Sequence, residues 1–139
     1  MSNAKQIVQR MWEADAFSQW LAINRDHIEE GSAVLSMIVR PEMCNGFGIA
    51  HGAITYALAD SALAFASNSR GKTALSLETS ISHIHPVYTG DRLTATTTEK
   101  HSGHRIGIYE IMIHNQDSKL VALFKGTVYY KNPESSTGH

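Results

Sequence analysis

The spacing of apolar residues changes several times along the chain, and each change predicts an element. Ile7, Val8, Met11 and Trp12 recur at helical intervals, so residues 5–16 are expected to form a short leading helix. Residues 19–30 and 32–40 follow as two extended segments around Gly31, which stands where a hairpin turn is needed. Pro41 has no N–H for a ladder and closes the second segment. Residues 41–51 form a loop. From Gly52 to about Asn68 the chain is rich in Ala and Leu with no internal Gly or Pro, which predicts a long helix. Ile54, Leu58, Ala62 and Phe65 share its apolar stripe, and Gly71 lies just past its end.

Four strand-like segments follow, at 73–85, 91–101, 105–115 and 120–130. They are parted by Thr89-Gly90-Asp91, Ser102-Gly103 and the turn from Gln116 to Lys119. The last two segments are apolar on both faces, with Ile106 and Ile108 set against Tyr109, Ile111 and Ile113. Such strands need two covers. The long helix supplies one; a further layer or a partner subunit must supply the other. The predicted class is α+β, an antiparallel sheet packed on a single long helix. One domain is expected over residues 1–131, with a disordered tail at 132–139.

Apolar residues make up 42% of the 139, enough for one core and not for two. Lys and Arg (12) nearly balance Asp and Glu (13), which leaves no electrostatic footprint for nucleic acid or an anionic membrane. An anionic group on a substrate must then be met locally. The single cysteine, Cys44, excludes an intrachain disulfide and a multi-cysteine zinc site, and it fits a reducing cytoplasm. The first residues lack the basic-then-apolar pattern of a signal peptide, and no apolar run is long enough to span a bilayer.

Asp60 stands in the middle of the long helix, among Ala, Leu, Ile, Phe and Ser. An Asp on a helix is ordinarily solvated on the outer face. Here no Lys, Arg or Glu occurs between His51 and Asn68, whereas a face turned to water would carry several. Asp60 is therefore expected to be covered, with Ala53, Tyr56, Ala64 and Ser67 on its side of the helix. The second candidate is the helix start, from Asn45 to Ala53. First-turn N–H groups have no internal partner and lie at the positive end of the helix dipole, so one of them can stabilise an oxyanion. Glycine at 52 would allow close approach. Eight residues separate Gly52 from Asp60, about 12 Å along one helix. A base and an oxyanion donor must both lie about 3 Å from the reacting atoms. If both act, Asp60 of one copy must meet Gly52 of another, and the enzyme is at least a dimer.

These runs carry a resemblance. Asn45-Gly46-x-Gly48-x-x-His51-Gly52, Leu58-Ala59-Asp60 and Asn68-Ser69-x-Gly71 resemble the phenylacetic acid degradation thioesterases of the hotdog superfamily. So do Thr89-Gly90-Asp91-x-Leu93-x-Ala95 and the run from Gly107-Ile108-Tyr109-Glu110 through Asn115-Gln116 to Val121-Ala122-x-Phe124-x-Gly126. The likeness covers residues 15–130. It implies a long helix wrapped by an antiparallel sheet, sheets joined across a dimer, and dimers paired into a homotetramer. It implies an acyl-CoA substrate with an aromatic (phenylacetyl or hydroxyphenylacetyl) or medium-chain acyl group. By the same likeness Asp60 is the catalytic carboxylate, the Gly52 N–H the oxyanion donor, and Asn45 and His51 supporting loop residues. Ala53 replaces the family's usual second glycine at the substrate, and Ser76 lies near the place of a hydroxyl that holds water in some relatives. No cofactor is implied.

Arg105 and Lys100 are candidates to meet CoA phosphates, or else solvated strand-end charges. His51 is expected to orient the loop through a ring nitrogen bonded to backbone. His83 and His85 would face the same way on a strand, but no third ligand stands at a clear spacing, so no metal is expected. Two rival functions stay open. A hotdog dehydratase also uses a His and a helix-borne acid, although its His-Phe-Pro-Gly run is absent. A non-catalytic acyl-CoA-binding module is the other.

Overall fold

The computed structural model describes residues 3–131, so the tail expected at 132–139 lies outside the described residues. Helix α1 spans Asn3–Ala14 and helix α2 Ala16–Trp20. Strands β1 (Asn24–Glu29) and β2 (Ser32–Ile38) come next, then helix α3 (Gly52–Asn68). Strands β3 (Ala74–His83), β4 (Arg92–Ser102), β5 (Ile106–His114) and β6 (Leu120–Tyr130) complete the described chain. The six strands form one antiparallel sheet in the order β1-β2-β4-β5-β6-β3.

The beginning differs from the prediction. The leading helix stops at Ala14, and a second short helix occupies part of what was expected to be extended chain. Asp15 caps it: its carboxylate accepts from the Ser18 N–H at 2.9 Å and from the Ser18 hydroxyl at 2.6 Å. A side-chain oxygen that satisfies a first-turn N–H favours a helix start over a strand. Ser18 in turn shares a 2.8 Å hydrogen bond with Ser61, which docks α2 against α3.

Helix α3 runs from Gly52 to Asn68 as expected, but it is buried far beyond one stripe. Ile54, Leu58, Ala62 and Phe65 are buried, and so are Ala57, Ala59, Leu63, Ala66 and Ser67. After the first turn only Tyr56, Asp60, Ala64 and Asn68 are part-open, a single row at four-residue intervals. The sheet curls around the helix to achieve this, with every strand in contact with it. Gly126 shows how close the approach is: a Cβ there would lie 2.6 Å from the Leu63 side chain. The inner faces of β5 and β6 present Tyr109, Ile111, Ile113, Phe124 and Val128, all buried. On the outer face Met112 and Leu123 stay exposed in the single chain.

The predicted turns fall where glycine and polar side chains permit them. Gly31 turns β1 into β2 at φ +75°, and Asn115 Oδ1 accepts from the Asp117 and Lys119 N–H groups between β5 and β6. At the C-terminal end of α3, Arg70 donates two hydrogen bonds to Glu99 (2.8 and 2.5 Å), and the Tyr109 hydroxyl donates a third at 2.6 Å. These bonds hold the Glu99 carboxyl below the usual carboxylate range. Strand β3 pairs only with β6, leaving its other edge open, with Leu75 and Leu77 exposed on it.

Candidate active site

The loop before α3 is held by backbone. Cys44 bridges to Ala50 and Ile49 to Tyr88, while Asn45 Oδ1 accepts from the Phe47 and Ile49 N–H groups at 2.9 and 3.2 Å. Asn45 thus shapes the loop. His51 differs from expectation. Its backbone N–H donates to the Met43 carbonyl at 3.0 Å, but its ring makes no hydrogen bond among the described residues and gives the helix no side-chain cap. The loop's backbone pairing already fixes the position without the ring.

With no cap, the first turn of α3 keeps free donors. Among the described residues neither the Gly52 nor the Ala53 N–H has a partner, and both residues are exposed. Gly52 opens onto a cavity of about 380 Å³, walled by Ile49, Thr55, His83, His85, Val87 and Val121. A Cβ on Gly52 would stand 3.0 Å from His83 Nε2, so glycine leaves room for that ring. The cavity combines an apolar wall with free amides at the positive end of a helix, a place suited to a carbonyl that gains negative charge.

Asp60 opens elsewhere. It lines a recess of about 110 Å³ with Leu63, Ala64, Ser67, Ser76 and Val128. Asp60 and Ser76 thus share one recess. Ser76 sits beside a β-bulge in β3, where pairing slips between Ser76 and Glu78, and bulges re-aim the side chains around them. Ser67, expected on the open side, is buried and donates to the Leu63 carbonyl at 2.7 Å. Asp60 itself is half-buried and has no hydrogen-bond partner among the described residues. Burial pushes its pKa up, and the nearby Asp15 carboxylate adds to the rise. An acid in this setting is a stronger base than an ordinary carboxylate once ionised.

The structure separates the remaining candidates. The β4–β5 hairpin lies at the Asp60 end of the sheet, because Gly107 pairs with Val128 of the Asp60 recess. Arg105 and Lys100 are exposed there, and Lys100 pairs with Glu110 at 3.6 Å. At the other end β3 stops at His83, yet His83 and His85 border the same cavity as Gly52. Sequence reasoning missed Thr55 and His83 as site residues. Position 55 reads as an ordinary helical Thr, and only the fold carries residue 83 to it.

The profile of the thioesterase superfamily matches residues 47–122, which include both Gly52 and Asp60. The chain belongs to the thioesterase superfamily. Its fold is the hotdog fold of that family, and it is a thioester hydrolase. A curated relative, the acyl-coenzyme A thioesterase PaaI of Escherichia coli K12, is 42% identical over 89% of this chain and 89% of its own. The solved structure of E. coli PaaI, from the phenylacetic acid degradation operon, superposes with a TM-score of 0.91 at 39% identity, covering 94% of each chain. A point mutant of the phenylacetic acid degradation protein PaaI from Thermus thermophilus gives a TM-score of 0.79 at 38% identity, over 83% of this chain and 98% of that one. Membership of this superfamily favours the hydrolase over the dehydratase and the inert binding module. No helix among the described residues is long and apolar enough to cross a membrane.

Proposed function

We propose that this hotdog thioester hydrolase cleaves acyl-CoA thioesters in the cytoplasm, in sites built from two copies of the chain. The observation that carries the proposal is the opening of Gly52 and Asp60 into separate recesses of one helix. The thioester carbonyl docks on the Gly52 N–H of one subunit, beside Ala53. Asp60 of the other subunit takes a proton from water as the water oxygen attacks the carbonyl carbon. The C–S bond then breaks, and CoA leaves as thiolate while the acyl group becomes a free acid. Direct attack by the Asp60 carboxylate, giving a mixed anhydride that water then opens, uses the same groups. In single-turnover reaction in heavy-oxygen water, label entering the Asp60 carboxylate excludes simple general-base action, since it enters only when water opens the anhydride at the Asp60 carbonyl. Ser76 lines the same recess as Asp60, which supports a role for its hydroxyl in holding the water.

The part-open row of Tyr56, Asp60 and Ala64 and the unpaired β3 edge support a partner that covers both. Two β3 edges meeting would join the sheets of a homodimer, and pairing of such dimers gives the tetramer. Arg105 and Lys100, exposed at the Asp60 end, are candidates to meet CoA phosphates, with Lys100 exchanging Glu110 for phosphate. The E. coli and Thermus relatives named for phenylacetic acid degradation favour phenylacetyl or hydroxyphenylacetyl groups over medium chains. Thiol release measured over a panel of aryl and alkyl CoA esters, with Asp60→Asn as control, tests this. Turnover highest with arylacetyl esters and lost in the variant supports the proposal; no thiol release from any ester contradicts it.

A further inference from the structure

Beyond the two residues that do the chemistry, a hydrogen-bond chain joins the wall of the cavity to the first peptide of α3. The Thr55 hydroxyl donates to the Gly52 carbonyl at 3.0 Å and also lies 3.3 Å from His83 Nδ1. A carbonyl oxygen only accepts, so the shorter of the two bonds takes the single Thr55 proton when it is made. In that arrangement Nδ1 donates the second bond, so the neutral ring carries its proton there and leaves Nε2 as a bare acceptor. The ring lies close enough to the helix start that a Gly52 Cβ would be 3.0 Å from Nε2. Thr55 is buried at 3% exposure, so the chain is anchored in the core although His83 is exposed.

The Gly52 carbonyl belongs to the same peptide unit as the Ala53 N–H. A hydrogen bond accepted at one end of a peptide fixes its plane and polarises the N–H at the other. We propose that His83, acting through Thr55, is a positioning residue that aligns the Ala53 N–H as a second oxyanion donor beside that of Gly52. This rests on the thioesterase reading of the cavity, but its geometry can be tested without substrate. His83 touches neither the reacting carbonyl nor water in this scheme; its contribution is the orientation of one peptide unit.

The experiment has two arms. In the first, nitrogen NMR of the His83 ring in mildly alkaline solution reads the tautomer, and the Ala53 amide shift is compared in wild type, Thr55→Val and His83→Phe. The Nδ1–H tautomer is expected, with the Ala53 amide moved alike in both variants. An Nε2–H ring, or an unmoved Ala53 amide, overturns the proposal even if no ester is ever found to turn over. In the second, His83→Phe and Thr55→Val each lower kcat about tenfold, a fraction of the loss of a whole oxyanion donor. KM should stay within about twofold, since ground-state binding is not what the chain supplies. The double variant should be no worse than either single one. His83→Asn, whose amide N–H falls near the Nδ1 position, should recover most of the rate. Losses that add in the double variant, or a failure of rescue by Asn, contradict the assignment. Absence of turnover in the wild type sinks the thioesterase proposal instead and leaves the NMR arm to judge this one.

Discussion

Gly52 and Asp60 stand about two turns apart on one helix and open into different recesses, one at each end of the curled sheet. No bending of α3 within a single chain brings a carboxylate at position 60 to a carbonyl held at position 52. If both groups act as proposed, this relationship makes the second copy part of the chemistry.

Replacing Asp60 by Asn keeps its shape and removes the base. Turnover should fall by roughly three orders of magnitude, within the range that a positioned base supplies. KM should change little, because the proposed docking holds the ester on amides elsewhere. Steady-state thiol release checks both, and a variant with more than a tenth of wild-type kcat would end the assignment of Asp60.

The raised pKa of Asp60 makes two pH predictions. The rising limb of kcat/KM should lie above the ordinary carboxylate range, since Asp60 acts only when ionised. Folding also favours the protonated form. The cost to stability is therefore absent below the unfolded pKa, grows as pH rises towards the folded pKa, and is complete above it. Asp60→Asn should accordingly raise Tm at neutral pH, and the gain should vanish in acid. Thermal melts across pH read this directly, and a variant less stable than wild type at neutral pH would contradict it.

Glu99 has the opposite sign. Its pKa is lowered by Arg70 and Tyr109, so its contribution is present above the unfolded pKa and is lost as pH falls through the folded one. Glu99→Gln should cost about 2 kcal/mol near neutrality, the scale of hydrogen bonds to a charged group. The difference should narrow in acid. Urea unfolding at two pH values is the measurement.

Gly52→Ala adds a Cβ that would meet the His83 ring at 3.0 Å and narrow the mouth of the cavity. Alanine suits a first helical turn, so the fold should hold. The loss should appear in kcat, about tenfold to a hundredfold, as the carbonyl is pushed off the amide. Unaltered far-ultraviolet circular dichroism beside reduced kcat is the expected result; full activity would place the oxyanion donor elsewhere.

Much of this was legible in the sequence because local chemistry and tertiary demand agree there. The Ala-rich run and the glycine beyond it fix α3 at Gly52–Asn68, and alternation between turn residues gives four long strands after it. Asp60 was conspicuous because nothing else charged shares its helix. Helix α2 was missed because Asp15 and Ser18 make a cap, a signal that the apolar pattern around Phe17 and Trp20 does not carry. Ser76 joins Ala74 on the wall of the Asp60 recess by ordinary alternation, while the bulge that follows it, a one-residue slip, is invisible to alternation alone. His83 lies 28 residues from Thr55, and no spacing rule joins them. His51 misled for a different reason: the backbone does the task its ring was expected to do.

The shared site is tested most directly by complementation. Asp60→Asn and Gly52→Val chains, each inactive alone, are co-expressed and the mixed assembly is purified. Random pairing makes half the dimers mixed, and each mixed dimer holds one site with both groups intact, so about a quarter of wild-type activity should return. A mixture as silent as its parents would show that Gly52 and Asp60 do not meet across subunits.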